Sequence, residues 1–595
     1  MTAIYHEVLT GEHIRLISIL PAADANEQVE CEVSQHKYDS EVPPYEALSY
    51  VWGDPSVKAK ITCNGQPLMV TVNLRDALVR LRLPDSNRVL WADAISINQG
   101  SNREKSHYVP LMWKVFSEAT RVVVWLGHST HEEAYPATHS LQIIADACRE
   151  HEKSPEFDPD GSLPYSSLRL PSETYDAITW KELQQFFLVP WFERVWCVQE
   201  IQLARDAVVL WGQEETSHSN IRLSGLWITQ RRARNVFNKL GPYQNIRWNN
   251  AMAMFGPNQQ QESIMWTLDE YRRFKATDQR DKVYGLMNLM SPKARGLLKV
   301  DYEQTVAETF AHTAFAAIKE MSDLSVLSFV SHLSEYDGED EYRSWAPRWD
   351  SERKINQLPL FTSIRTEISA SKGLPITHSE YPKYNGSLQV RGLLFDRVTS
   401  VKDVMYFIRD EVSPQIREFL DERLGEKSSE ASRSEPAIQA LARTLTAGFT
   451  KPSGKPYTAV LGELSAKERE TYYGGFIGCL AKNAPLIHKK VFPDFTTESI
   501  VMEEDRRYAE LMSIACDKRR LFFTETGAYG LGPACLREGD VFVVLFGGDT
   551  LYALRPKGNG EFLFLGQAYI DELADGKLVD EMRAGRIREE EFCLI

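Results

Sequence analysis

Three short blocks in the first 204 residues constrain this chain more than any other feature. They are residues 45–54 (YEALSYVWGD), 91–99 (WADAISINQ) and 191–204 (WFERVWCVQEIQLA). In each, an apolar run containing tryptophan leads straight into carboxylate or amide side chains. Burying such a group costs several kcal/mol unless it is paired. Asp93, Asn98, Gln99 and Glu200 therefore demand partners, in either a built ligand site or a tightly specified core.

The sequence around the blocks sets the elements that carry them. Residues 13–20 and 29–33 read as strands, and 47–51 as a further strand ending at Trp52-Gly53-Asp54. Asn64-Gly65 lies between apolar runs over 61–71, a strong hairpin signal. Residues 73–83 place Leu74, Leu78 and Leu81 on one helical face, with Asn73 as the expected N-cap and Asp76 in the first turn. Residues 88–92 form a strand. A helix over 103–119 turns Val109, Met112, Val115 and Phe116 inward and should kink at Pro110. Residues 121–126 (RVVVWL) are almost wholly apolar, as a strand buried on both faces should be. Helix follows over 182–204, around Pro190, then a strand over 207–211. Residues 154–174 read as a long surface loop. Helices alternating with strands at these lengths imply crossovers and a parallel sheet.

At 595 residues the chain is too long for one core. The pattern divides it into 1–212, a mainly helical 213–355, and an α+β region 356–595 that is β-rich over 520–572. Within 221–321 the clearest helix is 305–321. Thr305 and Glu308 form an expected capping box there, and Val306, Phe310, Ala314, Ala317 and Met321 line one side. Residues 425–436 (GEKSSEASRSEP) read as a linker. Strands at 521–524, 541–546, 551–555 and 562–565, two of them joined by Gly547-Gly548-Asp549, predict a small barrel or curled sheet.

A net charge of −15 argues against a nucleic-acid partner, and Arg231, Arg232 and Arg234 read as a solvated helix face. No stretch approaches the roughly 20 apolar residues of a membrane helix, and residues 1–12 lack the apolar core of a secretory signal. Eight cysteines without a CxxC pair are expected to be reduced, as in the cytoplasm. No metal site is expected. His131 and His139 with Glu132 have the wrong spacing for a zinc helix, and His488 beside Lys489-Lys490 reads as surface. Residues 448–455 (GFTKPSGK) miss the phosphate-loop pattern by one residue.

Taken together, ALSYVWG (47–53), WADAISINQ (91–99) and RVWCVQE (194–200) resemble the signature of the HET domain, named for heterokaryon incompatibility in filamentous fungi. DQRDKVYGL (278–286), SWAPRW (344–349) and residues 521–533 with Gly539-Asp540, Leu554-Arg555 and Tyr569 are similar to later stretches of its members. Two departures stand out: Ser96, where many members carry cysteine, and Pro110 in the second helix. The resemblance implies a fungal cytoplasmic protein that acts in nonself recognition and triggers cell death after incompatible fusion. Its partner would be a protein from an incompatible allele or locus, with self-association open. The HET domain is thought to resemble the TIR domain distantly, and some TIR domains cleave NAD. The fold expectation is thus α/β, with an N-terminal parallel or mixed sheet flanked by helices.

Ligands of open α/β sheets bind beyond the carboxyl ends of the strands, where these blocks end. In the catalytic reading, Asp93 and Glu200 converge in a cleft walled by Trp52, Trp91 and Trp196. One carboxylate stabilises an oxocarbenium-like centre as nicotinamide leaves ribose, as paired carboxylates do in glycoside hydrolysis. Tyr50, Trp52, Gly53, Asn98 and Gln99 form the candidate pocket, with Asn98 and Gln99 orienting ribose or amide. NAD would be a substrate, with no cofactor required. In the structural reading, Asp93 caps the turn after its strand and Asn98 the next helix. Gln99 and Glu200 then tie loop backbone to the sheet, through Arg194 or Arg103. A Glu200 so placed is paired or has a raised pKa.

Overall fold

In the computed structural model the hairpin signal at Asn64-Gly65 is the first turn of a large sheet. Both residues take positive φ, 49° and 72°, the combination that matches a tight hairpin to strand twist. The structure describes residues 5, 13–24, 27–38, 42–155, 157, 165, 167–230, 244–256, 262–338, 341–351, 358, 369–376, 383–384, 386–406, 413–424, 434–450, 459–460, 466–492 and 502–595. The chain divides into two units, Met1–Val306 and Ala307–Ile595. Arg231, Arg232, Arg234 and most of the expected linker at 425–436 lie outside the described residues.

The first unit is built on nine strands: β1 His13–Ile19, β2 Glu30–Lys37, β3 Glu46–Tyr50, β4 Lys58–Cys63, β5 Gln66–Thr71, β6 Arg88–Trp91, β7 Val122–Trp125, β8 Ala207–Trp211 and β9 Glu214–Ser217. Their order is β5-β4-β2-β1-β6-β3-β7-β8-β9. The centre, β6-β3-β7-β8, is parallel, while β1 and β9 close it on either side with antiparallel pairing. Every residue of β7 is buried, as its unbroken apolar run requires.

Strand alternation sorts side chains between two faces. Leu48, Tyr50, Leu90, Ala92, Val123 and Trp125 pack with Leu74, Ala77, Leu78 and Leu81 of helix α1 (Val72–Leu81). Trp91 is buried among Tyr108 and Phe116. Those two belong to α3 (Asn102–Tyr108) and α4 (Met112–Glu118), which follow the short α2 (Asp93–Ser96). The chain passes from β3 through α1 to β6, and then from β6 through α2–α4 to β7 on the other side of β3. The carboxyl end of β3 is thus the switch point of the sheet, the usual crevice of such folds.

Several local expectations change. Thr71, not Asn73, caps α1, its hydroxyl accepting the Leu74 amide. Asn73 instead bridges two strand ends: Nδ2 donates to the Val51 carbonyl at 2.6 Å and Oδ1 accepts from Trp125 Nε1 at 2.9 Å. Pro110 sits in a 3-10 turn, Val109–Leu111, that separates α3 from α4. The helical stretch around Pro190 likewise splits, into α6 (Trp180–Phe187) and α7 (Val195–Gln202); α5 is His131–Glu152. Residues 154–174 are not all surface loop: Tyr165 is buried, its hydroxyl donating to Glu152 and its amide to Gln230.

In the second unit, helix α8 (Val306–Met321) buries Phe310, Ala314 and Ala317, but Met321 is 36% exposed and Val306 only half-buried. Strands follow: β10 Leu388–Val401, β11 Arg519–Thr524, β12 Tyr529–Pro533, β13 Val541–Leu545, β14 Leu551–Gly558, β15 Glu561–Ala568 and β16 Glu590–Leu594. β10 pairs with β16 over 388–392, with β13 over 392–397 and with β11 over 398–401. Since β13-β14-β15-β16 are consecutive neighbours, these pairings close a five-stranded ring. A side chain at Gly392, where β10 changes partner, would collide with the Val544 carbonyl oxygen. His488 is buried on helix Pro485–Val491 rather than on the surface, its ring near Phe492. Among the described residues no helix is long and apolar enough to cross a membrane, and all eight cysteines are free.

One buried ion pair secures the loop after β6. Arg15 of β1 donates to Glu104 Oε1 at 2.5 Å and to the Ser96 carbonyl at 3.2 Å, both side chains being almost fully enclosed. Glu104 Oε1 also accepts the Asn98 amide at 2.8 Å. Removing one member leaves the other charged and enclosed. Arg15→Met should therefore cost about 3–5 kcal/mol in urea denaturation, with much of the loss recovered in Arg15→Met/Glu104→Met.

Candidate functional site: a carboxylate pair at the end of the central strand

β3 presents Ser49 and Tyr50 to opposite faces at its carboxyl end. Ser49 is fully buried, and its hydroxyl donates to Glu200 Oε2 of α7 while accepting Trp191 Nε1 at 2.9 Å. A small hydroxyl at this position of a buried strand is what allows a carboxylate behind the sheet to be hydrogen-bonded. Glu200 is only 8% exposed. Burial is the dominant influence on it and raises its carboxyl to about 7. Ser49 opposes that shift, Asp93 adds to it, and Arg194 and Cys197 oppose it.

Asp93 opens α2 directly after β6 and is half-buried. Its Oδ2 accepts Trp52 Nε1 at 2.8 Å, and its Oδ1 accepts the Ala94 amide at 2.7 Å. The buried Tyr50 hydroxyl lies against Asp93 without a well-aligned hydrogen bond. Burial pushes the Asp93 carboxyl up, against the pull of Arg194 and of the Trp52 and Tyr50 donors. Arg194, at the N-cap of α7, donates to the Tyr50 carbonyl at 2.9 Å and feels Cys197, Glu200 and Asp93. One guanidinium therefore lies within the electrostatic reach of both carboxylates.

The structure brings Asp93, Glu200, Tyr50 and Trp52 together but gives the other candidates different work. Gln99 Nε2 donates to the Asp93 carbonyl at 2.9 Å, and Asn98 Oδ1 accepts the Gly100 amide at 3.1 Å. Both amides build the loop. Ser101, not Asn98, caps α3, accepting the Glu104 amide. Gly53 is exposed, with φ +74° and Asn73 Cβ 3.7 Å from where its own Cβ would be. It lets the chain leave β3 in a left-handed turn. Trp91 does not wall a cleft: strand alternation sends it into the core with Tyr108 and Phe116, 6.5 and 5.5 Å between ring centroids. Trp196 does not either, because its Nε1 donates to Asp281 Oδ2 at 3.0 Å. The tie expected from Arg194 or Arg103 is made by Arg194.

Sequence reasoning missed Ser49, Trp191 and Asp281. Ser49 carried a faint signal, a lone hydroxyl inside an apolar strand. His131 and His139 both stack on Tyr135, at 5.0 and 5.4 Å, and no cluster of metal-ligating side chains occurs among the described residues.

Comparison with known proteins adds to this geometry. Residues 45–200 match the family model "Heterokaryon incompatibility protein (HET)", and residues 487–595 match the "Het-6 beta-barrel domain". The first interval contains every member of the carboxylate site, and the second contains six of the seven strands β10–β16. The chain is also similar to "Heterokaryon incompatibility protein 6, OR allele" of Neurospora crassa. The two are 25% identical over 648 aligned residues, covering 96% of this chain and 94% of that protein. No solved structure matches.

Glu200 sets a pH dependence whose sign is fixed. Its folded value of about 7 lies above its ordinary 4.5, so the folded state holds the proton more tightly and the group opposes folding as it ionises. Stability relative to Glu200→Gln should fall by about 3 kcal/mol as pH rises from about 4.5 to 7, and then level off. Urea denaturation of both proteins across that range measures it.

Proposed function

We propose that this chain is a HET-domain protein of the heterokaryon-incompatibility type, a nonself-recognition effector that triggers cell death when incompatible fungal cells fuse. The observation that carries this reading is the pair of matches, HET over 45–200 and Het-6 barrel over 487–595, on a chain similar end to end to an incompatibility protein. The fitting partner is a protein from an incompatible allele or locus, met in the cytoplasm.

A second reading is favoured by one specific feature, the two carboxylates at the sheet's switch point. In it the first unit hydrolyses the N-glycosidic bond of NAD. In this reading the two carboxylates have different roles. Asp93, half-buried beside Trp52 and the Tyr50 hydroxyl, stabilises the cationic ribosyl centre as the C1′–N bond breaks. The bond electrons leave with nicotinamide as a neutral base, and water supplies the hydroxyl of the product. Glu200, enclosed behind Ser49, does not touch substrate. Its charge state tunes the field at Asp93 and Arg194. Two carboxyls whose surroundings differ in this way are the usual mark of divided acid–base roles.

Two assays test these readings. Expression in a filamentous host should arrest growth, and unimpaired growth in an incompatible pairing would remove the effector reading. NAD consumption by the purified chain should fall about 10²–10⁴-fold in Asp93→Asn with the fold intact. Growth arrest without NAD turnover would leave the carboxylates as structural members of a binding module.

A further inference from the structure

Helix α7 carries Arg194 at its N-cap and Glu200 in its last turn, and almost every turn of it is held by residues 250–288, beyond the interval that matches the HET model. At its start, the Val195 amide donates to the Lys275 carbonyl at 3.0 Å, and the Lys275 amide to the Glu193 carbonyl at 2.5 Å. In the first turn, Trp196 Nε1 donates to Asp281 Oδ2 at 3.0 Å. In the middle, Gln199 Oε1 accepts Asn288 Nδ2 at 3.2 Å. At the end, Gln202 Nε2 donates to the Tyr271 hydroxyl at 2.7 Å and the Ala253 carbonyl at 2.9 Å. Glu200, on the side of α7 facing β3, meets Ser49.

Asp281 is the centre of this arrangement. Its second oxygen accepts the Tyr302 hydroxyl at 2.7 Å, so a single carboxylate joins α7 to the 301–304 segment. Arg280 beside it clasps Asp278 and donates to the Tyr302 and Gln304 carbonyls. Gly285 lies where a Cβ would come 3.3 Å from the Trp196 ring and 3.4 Å from Val195. The tightest approach would be to the Asp281 carbonyl oxygen, 2.8 Å, so a side chain here would crowd the segment itself and press on the helix.

We infer that Asp281 is a positioning residue for the carboxylate site, acting through Trp196 to fix where Arg194 and Glu200 stand against β3. The site is therefore completed about 80 residues after its last member, and the competent unit includes 262–304. This holds whether the site turns a ligand over or only binds one, and it is independent of the NAD reading. Burial raises Asp281 to about 6, opposed by the Tyr302 and Trp196 donors, as expected of a carboxylate held for its geometry.

The test is the ionisation of Glu200 in the full chain, followed by the infrared band of its protonated carboxyl and assigned by loss of that band in Glu200→Gln. Glu200 faces Asp93, Arg194, Cys197 and Ser49, so its midpoint reports small movements of α7. Trp196→Phe keeps the ring and leaves Asp281 in place but removes the donor. It should move the midpoint by about one pH unit, tenfold in the protonation equilibrium, while thermal unfolding still shows a cooperative native state. Asp281→Ala should move it at least as far, and Asp281→Asn, which keeps one acceptor, less. Unchanged midpoints in folded Trp196→Phe and Asp281→Ala would overturn the inference. If Asp281→Ala does not fold, Trp196→Phe decides alone.

Discussion

A carboxylate enclosed behind the central strand is the constraint to which the first unit is fitted. Glu200 is almost cut off from bulk water, so the protein must supply most of what water would have supplied. Ser49 provides a donor from the strand, Trp191 holds Ser49 in turn, and Arg194 provides the countercharge. These requirements fix residue types in two of the three blocks, Ser49 in the first and Trp191, Arg194 and Glu200 in the third. Leu48 and Tyr50 must alternate around Ser49 to keep α1 packed on the other face. The tryptophans have three different duties: Trp191 braces Ser49, Trp52 holds Asp93, and Trp196 holds α7 from outside.

Much of this fold can be read from local sequence, because local rules govern the parts concerned. β7 is apolar throughout because it is covered on both sides. The Asn64-Gly65 turn needs two residues tolerant of positive φ, and the sequence supplies them. Errors arise where one residue type serves two purposes. Asn73 has the chemistry of a cap, yet Thr71 precedes it and is a competent cap, which frees Asn73 to join two strand ends. Trp91 ends β6 and alternates with Leu90, so it enters the core on the face away from α1, whereas Asp93 lies beyond the strand at the start of α2. Contacts across long separations leave no local trace. Nothing near Arg15 points to Glu104, and nothing near Trp196 points to Asp281. β10 was illegible for a further reason: its successive segments pair with different strands, so no single alternation runs through LQVRGLLFDRVTSV.

The second unit solves its polar burial differently. Asp540 is almost fully enclosed between β12 and β13, and the Arg555 guanidinium grips both of its oxygens, at 2.9 and 3.0 Å. The same arginine donates to the Cys535 carbonyl, so one side chain pins the loop against the ring wall. Arg443, on helix Glu435–Thr446, makes a second two-pronged contact at 2.7 Å to Asp571, which also accepts the Tyr569 hydroxyl. Forked arginine contacts fix angle as well as distance, which suits joining helices to a curved sheet. The Asp540, Arg555 and Tyr569 of the sequence resemblance thus have architectural work.

The closed ring has a consequence for how this unit is made. Leu388–Val401 is one of the first pieces of the ring to be synthesised, and its amino-terminal half pairs with Glu590–Leu594. Until residues 590–594 have emerged from the ribosome, β10 and β15 each present an unpaired edge, and open edges invite pairing with other chains. Pairings that span so much sequence also form slowly. Closure of the ring therefore waits for residues 590–594, leaving a window in which nascent chains need shielding from one another.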